Sequence, residues 1–252
     1  MSRFFTSFWA ILLATSLFSQ DNTIDLQPKD TLVYKQAYGL RAGVDLSRIV
    51  TGVLDENYTG LELVADYRLT QNLYLAAELG TEEKTIQEDL YNFTTNGSYL
   101  KVGVDNNTYE NWYGEQNSIF YGARLGFASF GQTLNEYDIF NTNRYWSPDG
   151  FAPSNNPPRE FSGRTASWLE VLFGTKVELF SNIFLGASVR LGFLVTNPDT
   201  ETFPNLFIPG FNKVTDGSRF GVGYNYSISY FLPLYKKRNK NPEEEKQPEE
   251  GL

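Results

Sequence analysis

Apolar residues take every second position through several stretches of this chain. Leu61, Leu63, Ala65, Tyr67 and Leu69 interleave with Glu62, Val64, Asp66 and Arg68. Further on, Leu169, Val171, Phe173, Val177 and Leu179 interleave with Trp168, Glu170, Gly174, Lys176 and Glu178. Successive side chains of a strand point to opposite faces, so a period of two marks β-structure. The face between the apolar positions is charged and carries much of the glycine. A soluble sandwich gives its charged face to water, where glycine has no use. A small transmembrane barrel turns the apolar face to lipid and packs charge and glycine into a narrow interior. The pattern predicts the barrel.

The period places eight strands near residues 38–46, 59–69, 72–80, 99–105, 119–130, 165–179, 183–195 and 220–231. Connections after the second and sixth strands are very short, and the one after the fourth is moderate. Those after the first, third, fifth and seventh are longer, the longest covering 131–164. Outer-membrane barrels have short periplasmic turns and long extracellular loops, and an even strand number puts both termini in the periplasm. The expected fold is therefore all-β, an eight-stranded antiparallel transmembrane (outer-membrane) β-barrel with long extracellular loops. Its predicted parts are a signal peptide at 1–20, a periplasmic lead-in at 21–36, the barrel at 37–234 and a disordered charged periplasmic tail at 235–252. The signal reading rests on Arg3 followed by Phe8-Trp9-Ala10-Ile11-Leu12-Leu13-Ala14,. The tail reading rests on Lys236, Lys237, Arg238 and Lys240 followed by Glu243, Glu244 and Glu245,. Those bases could touch anionic head groups.

Composition narrows the function. Aromatic residues make up 16% of the chain, yet the mean hydropathy is −0.37, too polar for a helical membrane protein but compatible with a barrel whose lumen and loops are polar. The absence of cysteine removes disulfides and thiolate metal sites,. The absence of histidine removes the commonest general base, and with it the His-dependent mechanisms of barrel enzymes,. A net charge of −9 excludes nucleic acid as a partner,. No enzymatic activity, cofactor or metal is expected, although a carboxylate-pair hydrolase stays conceivable in principle.

Pooling the inward positions gives the acids Asp45, Glu62, Asp66, Glu78, Asp105, Glu170 and Glu178 and the bases Arg41, Arg68, Lys101, Arg124, Lys176 and Arg190. An eight-stranded lumen is only wide enough to be filled by side chains, and charges there must pair. The expectation is a salt-bridged plug, with inward glycines such as Gly126 and Gly192 leaving room for Arg and Glu. Tyr67, Tyr74, Tyr99, Trp112, Tyr121, Trp168, Tyr226 and Tyr230 read as aromatic girdles at the two membrane interfaces,. The two longest connections carry Phe140, Tyr145, Trp146, Phe151, Phe203, Phe207, Ile208 and Phe211. Such apolar side chains either fold over the barrel mouth or meet a partner, and aromatics are the usual anchors of interfaces. Outer-membrane lipids and protein partners at the membrane or cell surface are the expected contacts.

Further stretches carry a resemblance: Tyr58-Thr59-Gly60 leading to Asp66-Tyr67-Arg68, Leu73-Tyr74-Leu75-Ala76-Ala77-Glu78-Leu79-Gly80, and Tyr91-Asn92-Phe93-Thr94-Thr95. Thr133-Leu134-Asn135, Phe207-Ile208-Pro209-Gly210-Phe211-Asn212 and Gly221-Val222-Gly223-Tyr224-Asn225-Tyr226 complete it. Together they resemble a flavobacterial (Bacteroidota) family of outer-membrane barrels defined only as a domain of unknown function, over about 38–237. The resemblance implies fold and location and supplies no catalytic residues. Asp30-Thr31-Leu32 also resembles a short O-glycosylation signal of that phylum. The functional expectation is a non-enzymatic interaction or structural component of an outer-membrane protein complex, reached through its loops. The alternatives are a narrow channel or small-solute binder, and a soluble periplasmic lipocalin-like barrel with its apolar face inward.

Overall fold

The computed structural model describes residues 35–109, 116–140, 151–152, 157–198, 203–214 and 218–238. The expected signal, residues 21–34 of the lead-in, Trp112, Tyr145, Trp146 and the tail beyond Arg238 lie outside the described residues. In chain order the elements are β1 (Lys35–Asp45), α1 (Leu46–Leu54), β2 (Tyr58–Arg68), β3 (Leu73–Gln87), β4 (Tyr91–Asn107) and β5 (Ser118–Tyr137). There follow β6 (Ile139–Phe140), β7 (Phe151–Ala152), β8 (Arg159–Phe180), β9 (Ile183–Thr196), β10 (Phe207–Ile208), β11 (Asn212–Lys213) and β12 (Phe220–Arg238). Eight of the strands close an antiparallel ring in chain order, with β12 returning to pair with β1. The short β6–β7 and β10–β11 pairs belong to the connections.

The alternating apolar residues face out. Leu63, Leu75, Val102, Leu125, Phe173 and Leu191 are all exposed, while Glu62, Glu78, Lys101, Arg124 and Glu170 on the opposite parity are buried. This is the reverse of a soluble ligand-binding barrel, and the lipocalin-like alternative falls on it. From Leu169 to Leu179 of β8 the outward side chains are apolar except Thr175. At a rise of about 3.4 Å per residue and a tilt of about 40°, such a segment spans roughly 28 Å, close to the apolar band of an outer-membrane barrel.

Four strands run well past that band. β3, β4, β5 and β8 contain 15, 17, 20 and 22 residues, against roughly 9–11 needed to cross a bilayer. The third connection is consequently a three-residue turn at 88–90, where Glu88 N–H donates to the Tyr91 carbonyl (2.9 Å). The expected 131–164 loop begins only after Tyr137, because 131–137 and 159–164 are strand. The outer face of the extension is polar, which hid it from the period. Thr81 pairs with Ser98, Ser98 with Ser129 and Ser129 with Thr165, directly beyond the apolar Leu79, Leu100 and Phe127. At the other end β12 continues to Arg238, opposite Lys35, so 235–238 are strand rather than tail.

Among the described residues, one connection is helical. Asp45 caps α1 by accepting hydrogen bonds from the Ser47 backbone N–H (2.7 Å) and hydroxyl (2.8 Å),. The nine residues include Gly52 and four β-branched side chains, a poor intrinsic helix,, which is why the sequence reads as a plain loop.

Candidate functional site

The lumen is filled in layers from the end with short turns to the end with long loops. Arg68 closes the turn end. Its guanidinium donates to the carbonyls of Gln71 (2.6 Å) and Thr70 (3.2 Å) and to Gln36 Oε1 (2.8 Å), and lies 4.9 Å from the centre of the Tyr38 ring. It is expected among the lumen ion pairs, but backbone carbonyls and the Gln36 side chain accept its hydrogen bonds instead. Glu178 likewise serves a turn, accepting from the Asn182 N–H (2.9 Å). Asn182 adopts φ 66°, a conformation asparagine tolerates better than most residues,.

Above this layer Lys176 Nζ sits 2.7 Å from Asp66 and 3.7 Å from Asp105, and Arg41 Nε 3.5 Å from Asp66. Arg41 also stacks over Phe184 at 4.4 Å. The centre follows. Arg124 grips Asp105 with both terminal nitrogens (2.7 and 2.9 Å) and reaches Glu78 with Nε (3.4 Å). Arg190 binds Glu78 closely and Glu170 at 3.5 Å. Lys101 Nζ stands 3.3 Å from Glu170, 3.6 Å from Glu78 and 3.9 Å from Glu62. These charges come from seven different strands, so the network ties the ring across its diameter. A cavity of about 40 Å³ among Asp66, Arg124 and Arg190, and another of about 10 Å³ beside Lys101, have room for a water or two,.

Three residues expected at the membrane interfaces stand inside the lumen. Tyr74, Tyr99 and Trp168 are buried, on the same strand parity as Glu78, Lys101 and Glu170. Tyr99 donates its hydroxyl to Glu62 (2.5 Å), and Trp168 donates Nε1–H to Glu170 (2.7 Å). Tyr121, Tyr226 and Tyr230 do face outward and are exposed, and Tyr67 is half-buried. The glycine expectation changes with them. A Cβ at Gly126 would lie 2.2 Å from Trp168, and one at Gly192 would lie 2.7 Å from Phe211. Those grooves hold aromatic rings, not Arg and Glu.

Phe203, Phe207, Ile208 and Phe211, expected on a contact surface, are buried in the barrel mouth. The segment 203–214 enters as a plug built on the β10–β11 pair. Ile208 and Phe211 pack with Tyr99, Phe130, Trp168 and Leu194, while Phe203 and Phe207 pack with Phe93 and Leu134. Gly210 turns the chain at φ 81° and donates its N–H to Glu82 Oε2 (3.0 Å). Arg164 holds the other side, donating to Gln132, to Asn205 Oδ1 (2.5 Å) and to the Phe203 carbonyl (2.9 Å). The side chains of Phe140 and Phe151, like Tyr145 and Trp146, lie outside the described residues.

Sequence reasoning missed four residues of this assembly. Arg48 drops from α1 into the mouth, 2.7 Å from Glu82, 3.7 Å from Asp45 and 3.9 Å from Glu62, and 3.4 Å from the Asn212 side-chain oxygen of the plug. Asp45, expected as a lumen acid, thus acts as helix cap and Arg48 partner. Glu82 also accepts from the Tyr58 hydroxyl (3.0 Å). Arg164, Glu82 and Gln132 sit on the strand extensions, beyond the predicted ends. Their parity matches that of the inner charges, a signal that continuing the period would have caught. At the exposed rim, the hydrogen bond from Lys84 and the Asn57 N–H hold the Asp55 carboxyl below its ordinary range.

The fold and its contents define a class: a closed eight-stranded antiparallel barrel, apolar outside, with a charged lumen stoppered by one of its own loops. Residues 1–237 match the family described as Domain of unknown function (DUF6048), and the chain belongs to that family. Among solved structures it is similar to Neisserial surface protein A, with 11% identity over 78% of this chain and 96% of that one, at a TM-score of 0.38. It is similar also to CarO2 of Acinetobacter baumannii, with 11% identity over 79% of this chain and 100% of that one, at a TM-score of 0.37. No curated protein matches the chain.

Proposed function

We propose that this chain is an integral outer-membrane barrel without enzymatic activity, closed to solutes, that acts as an interaction component of an outer-membrane protein complex. In this reading both termini and the short turns are periplasmic and the plugged end faces the exterior. The observation that carries it is the filled lumen. Among the described residues paired charges and an aromatic plug fill the lumen, which leaves the outer surfaces as the sites for function. With Phe203, Phe207, Ile208 and Phe211 turned inward, protein contacts pass to the connection after β5 and to the polar outer face of the β3–β4–β5 extension. There Thr85 and Thr94 share a hydrogen bond (2.9 Å), and Asn135 donates to Asn92 (2.8 Å).

Planar-bilayer recording of the purified barrel tests closure, with no steady conductance expected. Steady single-channel current from the wild-type chain would establish the narrow-channel reading instead. Crosslinking of a native-level tagged copy, with mass spectrometry, tests the interaction role. Shortening residues 138–158 should release partners, and retention of every partner would refute contact through that loop.

A further inference from the structure

The barrel wall is incomplete on one side of its plugged end. β1 stops at Asp45, opposite Ser227 of β12, and its last contact with β2 is Val44 opposite Leu63. Beyond that point β12 continues through 220–226 paired only with β9, and β2 through 58–62 paired only with β3. Helix α1 stands where a strand is missing and does not fill the gap. A cavity of about 270 Å³ remains between Thr51 of α1, Tyr58, Asn212 of the plug and the β12 edge at Gly223–Tyr224. Its volume is about nine times the share of one water molecule in the liquid, room for a head group the size of glycerol or a small sugar.

The rim and floor of this notch differ in chemistry. Outside it the β12 and α1 sides are apolar, with Val222 and Tyr224 exposed and Val53 and Leu54 of α1 each 80% exposed, while on the β2 side the exposed Thr59 pairs with Glu83 of the polar extension. Inside lie hydroxyls, an amide and the unpaired β12 edge at Gly223–Tyr224. Backbone N–H and C=O groups on such an edge are costly to leave against hydrocarbon. The two cations of the notch already have partners, Arg48 with Glu82 (2.7 Å) and Lys84 with Asp55. Asp45 and Glu62 stand behind Arg48. An anionic head group would thus meet no uncompensated positive charge.

We propose that this notch is a lateral binding site for a single-chain amphiphile with an uncharged, hydrogen-bonding head group. The head enters the cavity and bonds the β12 edge and Asn212, and the chain lies along the outer face of β12 in the surrounding lipid. The site rests on the reading of the outer surface as lipid-facing.

The chain has no cysteine, so a fluorophore on Val222→Cys reports from the rim alone. The labelled barrel in liposomes is titrated with a monoacylglycerol and, separately, with the fatty acid of the same chain length. The monoacylglycerol should shift emission saturably, at a concentration at least tenfold below that of the fatty acid. Gly223→Leu fills the cavity from β12, where an added Cβ meets nothing nearer than 3.6 Å, and Thr51→Trp fills it from the helix. Each should abolish the saturable shift in a barrel that still floats with liposomes. Equal response to the fatty acid overturns the head-group assignment, and a floating barrel with no saturable shift overturns the site. A barrel that does not float with liposomes overturns the membrane reading, and the site with it.

Discussion

Arg124 illustrates what single residues contribute to this lumen. It is buried with Asp105 and Glu78 on either side of its guanidinium. Removing it leaves the buried Asp105 with only Lys176 at 3.7 Å and takes one of three cations from Glu78. Breaking a buried pair of this kind costs about 3–5 kcal/mol, whereas an exposed charge contributes about 0–1 kcal/mol. Arg124→Ala should therefore lower the urea midpoint of the liposome-inserted barrel far more than Arg219→Ala, whose side chain is exposed. Equal midpoints would contradict the inward register. Tyr99→Phe is a finer probe. It removes the hydroxyl that donates to Glu62 and leaves that carboxylate with Asn225 (3.1 Å) and the more distant Lys101 and Arg48. A loss of about 1–3 kcal/mol is expected, against almost none for the outward Tyr121→Phe. The direction of Tyr99 was legible in the sequence, since it stands two residues from Lys101 on the same strand. The usual association of tyrosine with membrane interfaces pointed the other way, and parity is the stronger argument because a one-residue slip would turn every neighbour over.

At the scale of elements, the sequence marked strands where one face was apolar and lost them where both faces were polar or mixed. β3 was predicted to end at Gly80 because Thr81, Glu83 and Thr85 carry no apolar signal, yet its backbone pairs with β4 as far as Gln87. The plug posed a different problem. Phe207, Ile208 and Phe211 were plainly apolar, but a loop has no period to tell whether such residues face a partner or their own barrel. The space made by Gly192 and the anchor at Arg164 decide it, and both lie far away in sequence. Phe211→Ala empties the groove beside Trp168, where the two rings meet edge to face at 5.8 Å. Large-to-small changes of this size cost about 3–5 kcal/mol, here charged mainly to plug docking. Limited proteolysis within 203–214 should accelerate, while the heat-modifiable gel shift of the barrel stays. Loss of that shift together with the plug would mean that plug and wall fold as one unit.

For the whole molecule, two boundaries on the outer surface frame an apolar band, and in the proposed function they set its relation to the membrane. One is the row where Leu79, Leu100 and Phe127 give way to Thr81, Ser98 and Ser129, and its register runs unbroken across three strand pairs. The other is the turn end, where Ser181 and Asn182 follow Phe180. Between them the outward side chains of β3, β4, β5 and β8 are apolar apart from a few such as Thr175 and Asn106, and beyond the first these four strands continue as a polar-skinned collar beside the plug. Such a surface is stable only with hydrocarbon against the band and water against the collar. The absence of cysteine makes the boundary measurable residue by residue. Single cysteines at Thr85 and Thr94 on the collar should react with a membrane-impermeant maleimide on intact cells. Cysteines at Val102 and Val171 in the band should react only after the membrane is dissolved in denaturant. If the collar positions are labelled only once the outer membrane is permeabilised, the plugged end faces the periplasm and the proposed orientation is reversed. If the band positions react as readily as the collar, the apolar belt does not contact lipid and the membrane reading itself fails.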